Sequence, residues 1–188
     1  MFGRFMNNIQ VKRVVLTGGP GSGKSTLINE LKRRGFDCQP EAGRSIIQHQ
    51  QQIGGHALPW QDPAAFAEQM LGWEMRSWYG ADEKQTYCFY DRGVPDILGY
   101  LALMQLPIPD HLLEAVRRFP YHSDIFLAPP WKAIYAGDAE RKQSWEEAVQ
   151  TAAIMADTYG KLGYRIIVLP EGSVEWRTDY ILQALEEG

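Results

Sequence analysis

Residues 18–25 read Gly-Gly-Pro-Gly-Ser-Gly-Lys-Ser, a complete G-x-x-x-x-G-K-[ST] pattern. The apolar run Val-Lys-Arg-Val-Val-Leu-Thr leads into it, and Thr-Leu-Ile-Asn-Glu-Leu-Lys-Arg-Arg leads out. Such a segment commits a chain to a strand, a phosphate-cradling loop and a helix, in that order. Gly18 and Gly23 reach backbone conformations closed to residues with a side chain, so main-chain N–H groups can close around phosphate oxygens. Lys24 is long enough to reach the β- and γ-phosphates, and the Ser25 hydroxyl suits Mg²⁺. The helix that opens near Lys24 turns its positive end to the same anion. Gly18, Gly19, Pro20, Gly21, Ser22, Gly23, Lys24, Ser25 and Thr26 are therefore the expected contacts of a nucleoside triphosphate, ATP, bound with Mg²⁺.

Apolar runs alternate with helical patterns along the rest of the chain, the signature of a parallel α/β sheet. Strands are expected over 11–17, 36–40, 86–90, 124–128 and 164–169. Helices are expected over 24–34, 42–53, 62–82, 95–104, 110–118, 144–162 and 174–186. Asp62-Pro63 reads as a cap with proline in the first helical position, and Ser144 with Glu147 as a capping box. The polar stretch 129–143 reads as a connection with a lid-like character.

With 188 residues, 45% hydrophobic and 22% charged, the chain can bury a substantial core. Residues 11–188 read as one domain behind a short leader, 1–10, which has no apolar h-region and so does not read as a signal peptide. A net charge of −4 with interleaved signs argues against a broad nucleic-acid-binding face. No apolar run approaches the roughly 20 residues of a membrane span. Cys38 and Cys88 lack metal-ligand spacing and are too few for a disulfide framework. They read as reduced, buried residues of a cytoplasmic protein.

A second constellation follows the third strand: Asp91-Arg92-Gly93. An acidic residue there, in a chain with a phosphate loop, can hold Mg²⁺ or take a proton from an acceptor hydroxyl. Arg92 can clamp a phosphate or an acceptor group. The stretch 60–79 carries Trp60, Phe66, Met70, Trp73, Met75, Trp78 and Tyr79. Phe66, Met70, Trp73 and Ser77 share one stripe, which serves either as core or as a wall of an acceptor pocket, since aromatic faces stack on planar rings. The four histidines are scattered without ligand spacing, and Arg117-Arg118 suit the last turn of a helix.

Four segments together carry a family resemblance: residues 16–27, Pro40-Glu41-Ala42-Gly43-Arg44, Asp91-Arg92-Gly93-Val94-Pro95-Asp96, and Asp138-Ala139-Glu140-Arg141-Lys142. Over about residues 11–185 the chain resembles a family of small P-loop ATPase/kinase-like proteins described as AAA-type ATPase domains. In layout it is similar to nucleoside and nucleotide kinases and to ribosylnicotinamide-kinase-like domains. The resemblance implies a three-layer α/β/α fold with a five-stranded, mostly parallel sheet in the order 2-3-1-4-5. It also implies that Glu41 deprotonates the acceptor, that Asp91-Arg92 is the acidic–arginine pair of such kinases, and that Arg141, with Lys142, closes a lid over the phosphates. The loop 170–173 is implied to border the adenine. Read from the residues alone, Glu41 could equally cap the helix that starts at Ala42 with Arg44 as its partner, and Arg141 could be a solvated charge. The lid has one arginine and one lysine where such kinases carry several arginines, and no segment matches an acceptor-specific signature.

These residues imply a Mg²⁺-dependent kinase with Lys24, Asp91, Glu41, Arg92 and Arg141 as its catalytic set, Ser25 and Asp91 on the metal, and a small nucleoside- or nucleotide-like acceptor as partner. Neither nucleic acid nor membrane is expected as a partner. An ATPase switch that drives a protein partner, or a nucleotide sensor, are the competing readings. Only one helix follows the last expected strand, whereas AAA-type motors carry a further helical lid domain, and this favours the kinase.

Overall fold

A computed structural model describes residues 10–135 and 144–187. The central strand, β1 (Lys12–Gly18), is exposed only at Lys12 and buried through its other six residues. Its Val14 and Leu16 side chains enter one core cluster and Val15 the other, as the two-residue period of a strand requires. The helix α1 (Lys24–Arg33) follows the loop, and then come β2 (Asp37–Gln39), α2 (Ala42–Ile53) and α3 (Pro63–Tyr79). The chain continues through β3 (Tyr87–Asp91), α4 (Val94–Leu103), α5 (Asp110–Arg118) and β4 (Asp124–Ala128). It ends with α6 (Lys132–Tyr135), α7 (Trp145–Lys161), β5 (Arg165–Val168) and α8 (Val174–Glu186).

The five strands form one parallel sheet in the order β2-β3-β1-β4-β5, the order implied by the resemblance. Helices α3, α4, α5 and α7 pack one face, around Val15, Tyr90, Ile97 and Tyr159. Helices α1 and α8 pack the other, around Leu16, Leu27, Phe126 and Ile181. A smaller cluster of Ala42, Ile46 and Phe66, with Trp73 and Tyr100 against it, sits where α2, α3 and α4 meet. The carboxyl ends of β1 and β3 lie side by side, Leu16 opposite Asp91. In open α/β sheets that end of the strands is where ligands bind.

Local signals place most helix starts. Asp62 accepts from the Ala65 amide at 2.9 Å with Pro63 behind it, and Ser144 with Glu147 forms the expected capping box. Most element bounds fall within one residue of expectation, and two differences are larger. Helix α3 stops at Tyr79, not at 82, because the Asp82 amide is taken by Asp37 Oδ2 at 2.7 Å, which ties the chain to β2. The stretch read as a connection contains the short helix α6. Cys88 is buried in β3 and Cys38 half-buried in β2; both are free thiols, and burial pushes the Cys38 thiol up to about 12 and the Cys88 thiol further. Among the described residues, no helix is long and apolar enough to cross a membrane.

Candidate active site

The loop between β1 and α1 is shaped by its glycines. Gly18 has φ +136°, and a Cβ there would stand 2.2 Å from the Ala128 carbonyl oxygen at the end of β4. Gly23, at φ +82°, immediately precedes α1, and a Cβ on it would press on the Arg177 guanidinium at 3.0 Å. Inside the loop, the Lys24 ammonium donates to Gly19 O at 2.8 Å, Ser22 Oγ at 3.3 Å and Gly18 O at 3.4 Å. Burial, helped by the Arg92 charge, lowers the Lys24 pKa to about 8 against the pull of Asp91, Glu41 and Asp96.

The end of β3 meets this loop. Ser25 Oγ donates to Asp91 Oδ2 at 3.1 Å, while Asp91 Oδ1 is buried with no partner among the described residues. Burial raises the Asp91 carboxyl above its ordinary range, although Lys24 opposes this. Ser25 Oγ and Asp91 Oδ1 are hard oxygen donors of the kind Mg²⁺ takes. Among the described residues no group of three or more His, Cys, Asp or Glu side chains could hold a metal alone, so phosphate oxygens and water would have to complete such a shell.

Arg92 follows with φ +76°, a left-handed backbone that a residue with a side chain adopts only at a cost of about 1–3 kcal/mol. It is fixed from two sides: Nε donates to Glu41 Oε1 and a terminal nitrogen to Asp96 Oδ1, each at 3.2 Å. Burial works against the Arg92 charge, but Glu41, Asp96 and Asp91 outweigh it and hold the guanidinium protonated. Glu41 precedes α2, yet its carboxylate makes no capping bond to that helix. Burial would raise its pKa, but Arg92 and Lys24 reverse this and keep it below the usual range.

Asp96 organises the floor beneath Arg92. Oδ1 accepts from Thr17 Oγ1 at 2.5 Å as well as from Arg92, and Oδ2 accepts from the Gly93 amide at 2.9 Å and the Tyr159 hydroxyl at 2.6 Å. Lys24, Ser25, Asp91, Arg92 and Glu41 thus come together at one end of the sheet. Arg141 lies outside the described residues, as does Lys142.

A model of an AAA-domain family matches residues 13–177. The chain belongs to this AAA-domain family. No curated protein sequence matches this AAA domain. Solved structures similar to it include deoxyadenosine kinase from M. mycoides with bound dATP (TM-score 0.58, 14% identity, 93% of this chain and 99% of that one). Thymidylate kinase from Ehrlichia chaffeensis gives a TM-score of 0.64 at 12% identity over 94% and 99%. Shikimate kinase from Acinetobacter baumannii in complex with shikimate gives 0.55 at 12% over 94% and 94%. At these identities the likeness establishes the P-loop kinase fold of this AAA domain.

Two residues of the AAA domain that sequence reasoning passed over stand at the site. Arg177, buried in α8, directs both terminal nitrogens at the Ser22 carbonyl oxygen (3.3 Å each) and lies 5.9 Å from the Trp131 ring. Because the C=O and N–H of a trans peptide point opposite ways, gripping Ser22 O turns the Gly23 N–H toward the loop interior. Glu74 is buried in α3 and raised well above the usual carboxyl range, by burial first and then by Asp96. A buried carboxyl facing other carboxyls has no local sequence signal. The cationic Arg177 has none either, since it acts 155 residues away. Of the stripe, Phe66 and Ser77 are buried and Met70 and Trp73 half-buried, while Trp60 and Tyr79 elsewhere in the stretch are exposed.

Proposed function

We propose that this chain is a Mg²⁺-dependent kinase that moves the γ-phosphoryl group of ATP onto a hydroxyl of a small acceptor. One observation carries the proposal: Glu41 turns from its own helix to Arg92, beside Asp91, and stays half-exposed to the cleft. A carboxylate that caps nothing, is kept ionised and faces a phosphate loop is placed to take a proton. Kinases acting on deoxyadenosine, thymidylate and shikimate share the fold, which supports a small-molecule acceptor.

Lys24 and the loop amides bind the β- and γ-phosphates. The acceptor oxygen attacks the γ-phosphorus, the bond to the bridging β–γ oxygen breaks, and ADP leaves with that electron pair. The hydroxyl proton passes to Glu41, which Arg92 orients. Ser25 and Asp91 would hold Mg²⁺, which neutralises phosphate charge when bound. Arg141 would stabilise the transferring group, a role worth on the order of 10³-fold in rate. Two free thiols are in keeping with a cytoplasmic setting.

The test is transfer from γ-labelled ATP to a panel of nucleosides, nucleotides and small alcohols. Labelled product from at least one acceptor, lost in Glu41→Gln, is expected. Hydrolysis that no acceptor stimulates would assign the chain instead to an ATPase switch acting on a protein partner.

A further inference from the structure

The carboxylate of Asp96 divides its work between its two oxygens. Oδ2 accepts from the Gly93 amide at 2.9 Å and the Tyr159 hydroxyl at 2.6 Å, which fixes the first turn of α4 and ties it to α7. An acidic residue in the first turn of a helix needs no more than that to act as a cap. Oδ1 is turned the other way, to the Thr17 hydroxyl at 2.5 Å and the Arg92 guanidinium at 3.2 Å. Thr17 directly precedes Gly18 of the phosphate loop, and Arg92 leads on to Glu41 at the acceptor side. One buried oxygen thus joins the two halves of the cleft.

A carboxylate offers about four acceptor sites, and four donors already fill those of Asp96, so neither a nucleotide nor an acceptor hydroxyl finds one free. Side-chain exposure falls from 39% at Glu41 through 18% at Arg92 to 5% at Asp96, which puts Asp96 out of a ligand's reach behind the other two. Its influence has to run through Arg92. That guanidinium is anchored by Nε on Glu41 and by a terminal nitrogen on Asp96, and two separate anchors fix the plane of a fork that one would leave free to turn. The backbone beneath is left-handed at φ +76°, with the Arg92 amide held on Leu16 O at 3.0 Å. A residue with a side chain stays in that conformation only where its surroundings over-determine it, and Asp96 is the buried one of its two side-chain anchors.

Resting on the kinase reading of this cleft, we propose that Asp96 is the positioning residue of the acceptor side. Through Arg92 it sets the direction in which Glu41 takes the acceptor proton, and it touches neither substrate itself. Asparagine cannot replace it. Whichever way its amide turns, the NH₂ group meets a donor that cannot accept, the Arg92 guanidinium on one side or the Gly93 N–H on the other. In either orientation the negative charge that faces Arg92 is gone.

Exchange of the Arg92 Nε–H with water, read by heteronuclear NMR on the full chain, tests this without any acceptor. The signal is identified by its loss in Arg92→Lys. In Asp96→Asn it should exchange at least about tenfold faster, since an anchor to a charged group is removed. Should that variant not fold, Tyr159→Phe, which unpins Oδ2, should quicken the exchange about threefold. An unchanged rate in whichever variant folds overturns the proposal and leaves Asp96 a helix cap. Transfer from γ-labelled ATP to the acceptor found in the panel should fall at least about tenfold in kcat in Asp96→Asn, with the KM for ATP within about threefold. In an Arg92→Lys background the same substitution should lower kcat less than about threefold, because a residue that acts through Arg92 has nothing left to act on. Equal factors in the two backgrounds overturn the proposal as well. Absence of transfer to every acceptor removes the kinase reading, and the exchange rate then still decides whether Asp96 sets Arg92.

Discussion

Lys24 holds its ammonium inside a protein loop at a pKa near 8, so its charge is conditional. A polyphosphate beside it favours the protonated form and raises that pKa. Nucleotide binding is therefore expected to take up protons near pH 8, on the order of half a proton per ATP, and almost none at pH 6.5, where Lys24 is already charged. Above pH 8 the affinity should fall with rising pH, since each binding event must first protonate the lysine. Calorimetry in buffers of different ionisation enthalpy reads this directly, and Lys24→Met should abolish it. Asp91 makes a second expectation at this scale. Asp91→Asn should lower transfer by roughly 10²–10³-fold with ATP affinity changed less than about threefold. An equal fall in binding and turnover would make Asp91 part of the binding scaffold alone.

At the level of elements, the start of α4 shows what could and could not be read from sequence. The pattern Asp91-Arg92-Gly93-Val94-Pro95-Asp96 signals a strand end, a turn and a helix start, and those are present. That Asp96 would be closed in by Thr17 and Tyr159 was not legible, because those partners lie 79 and 63 residues away and meet only through the sheet and α7. Glu41 gives the opposite lesson. Its position before α2 is that of a cap, and local sequence favours Arg44 as partner, but the half-buried Arg92 outbids both the helix amides and an exposed arginine. The phosphate-loop motif itself was legible because its glycines, Lys24 and Ser25 are contiguous, whereas its brace Arg177, 155 residues on, was not. The tie of Tyr159 to Asp96 has a measurable weight: Tyr159→Phe removes a buried hydrogen bond to a charged group, expected to cost about 1.5–3 kcal/mol. Thermal unfolding should shift down by on the order of 5 °C, and an unchanged melting curve would mean that Asp96 finds another donor.

Across the whole molecule, the candidate site draws on β1, α1, α2 and β3, and α8 braces it from behind. Sheet order alone makes this possible, since placing β1 between β3 and β4 sets the loop against the end of β3 on one side and Ala128 on the other. Arg177 is the far end of that arrangement. Arg177→Met should weaken ATP binding about tenfold through a misoriented Ser22–Gly23 peptide, and Lys at 177 should not restore it, lacking the fork that grips one carbonyl oxygen twice. ATP affinity equal to the parent in Arg177→Met would show the loop holding its shape unaided. The two thiols, finally, give the experimenter a practical gift. With Cys38 held near 12 and Cys88 higher still, hardly any thiolate is present at neutral pH, so thiol-directed dyes would pass both by. A single reporter cysteine at exposed Ile53 or Trp60 could then carry a fluorophore on the native background, without first stripping the chain of its own sulfur.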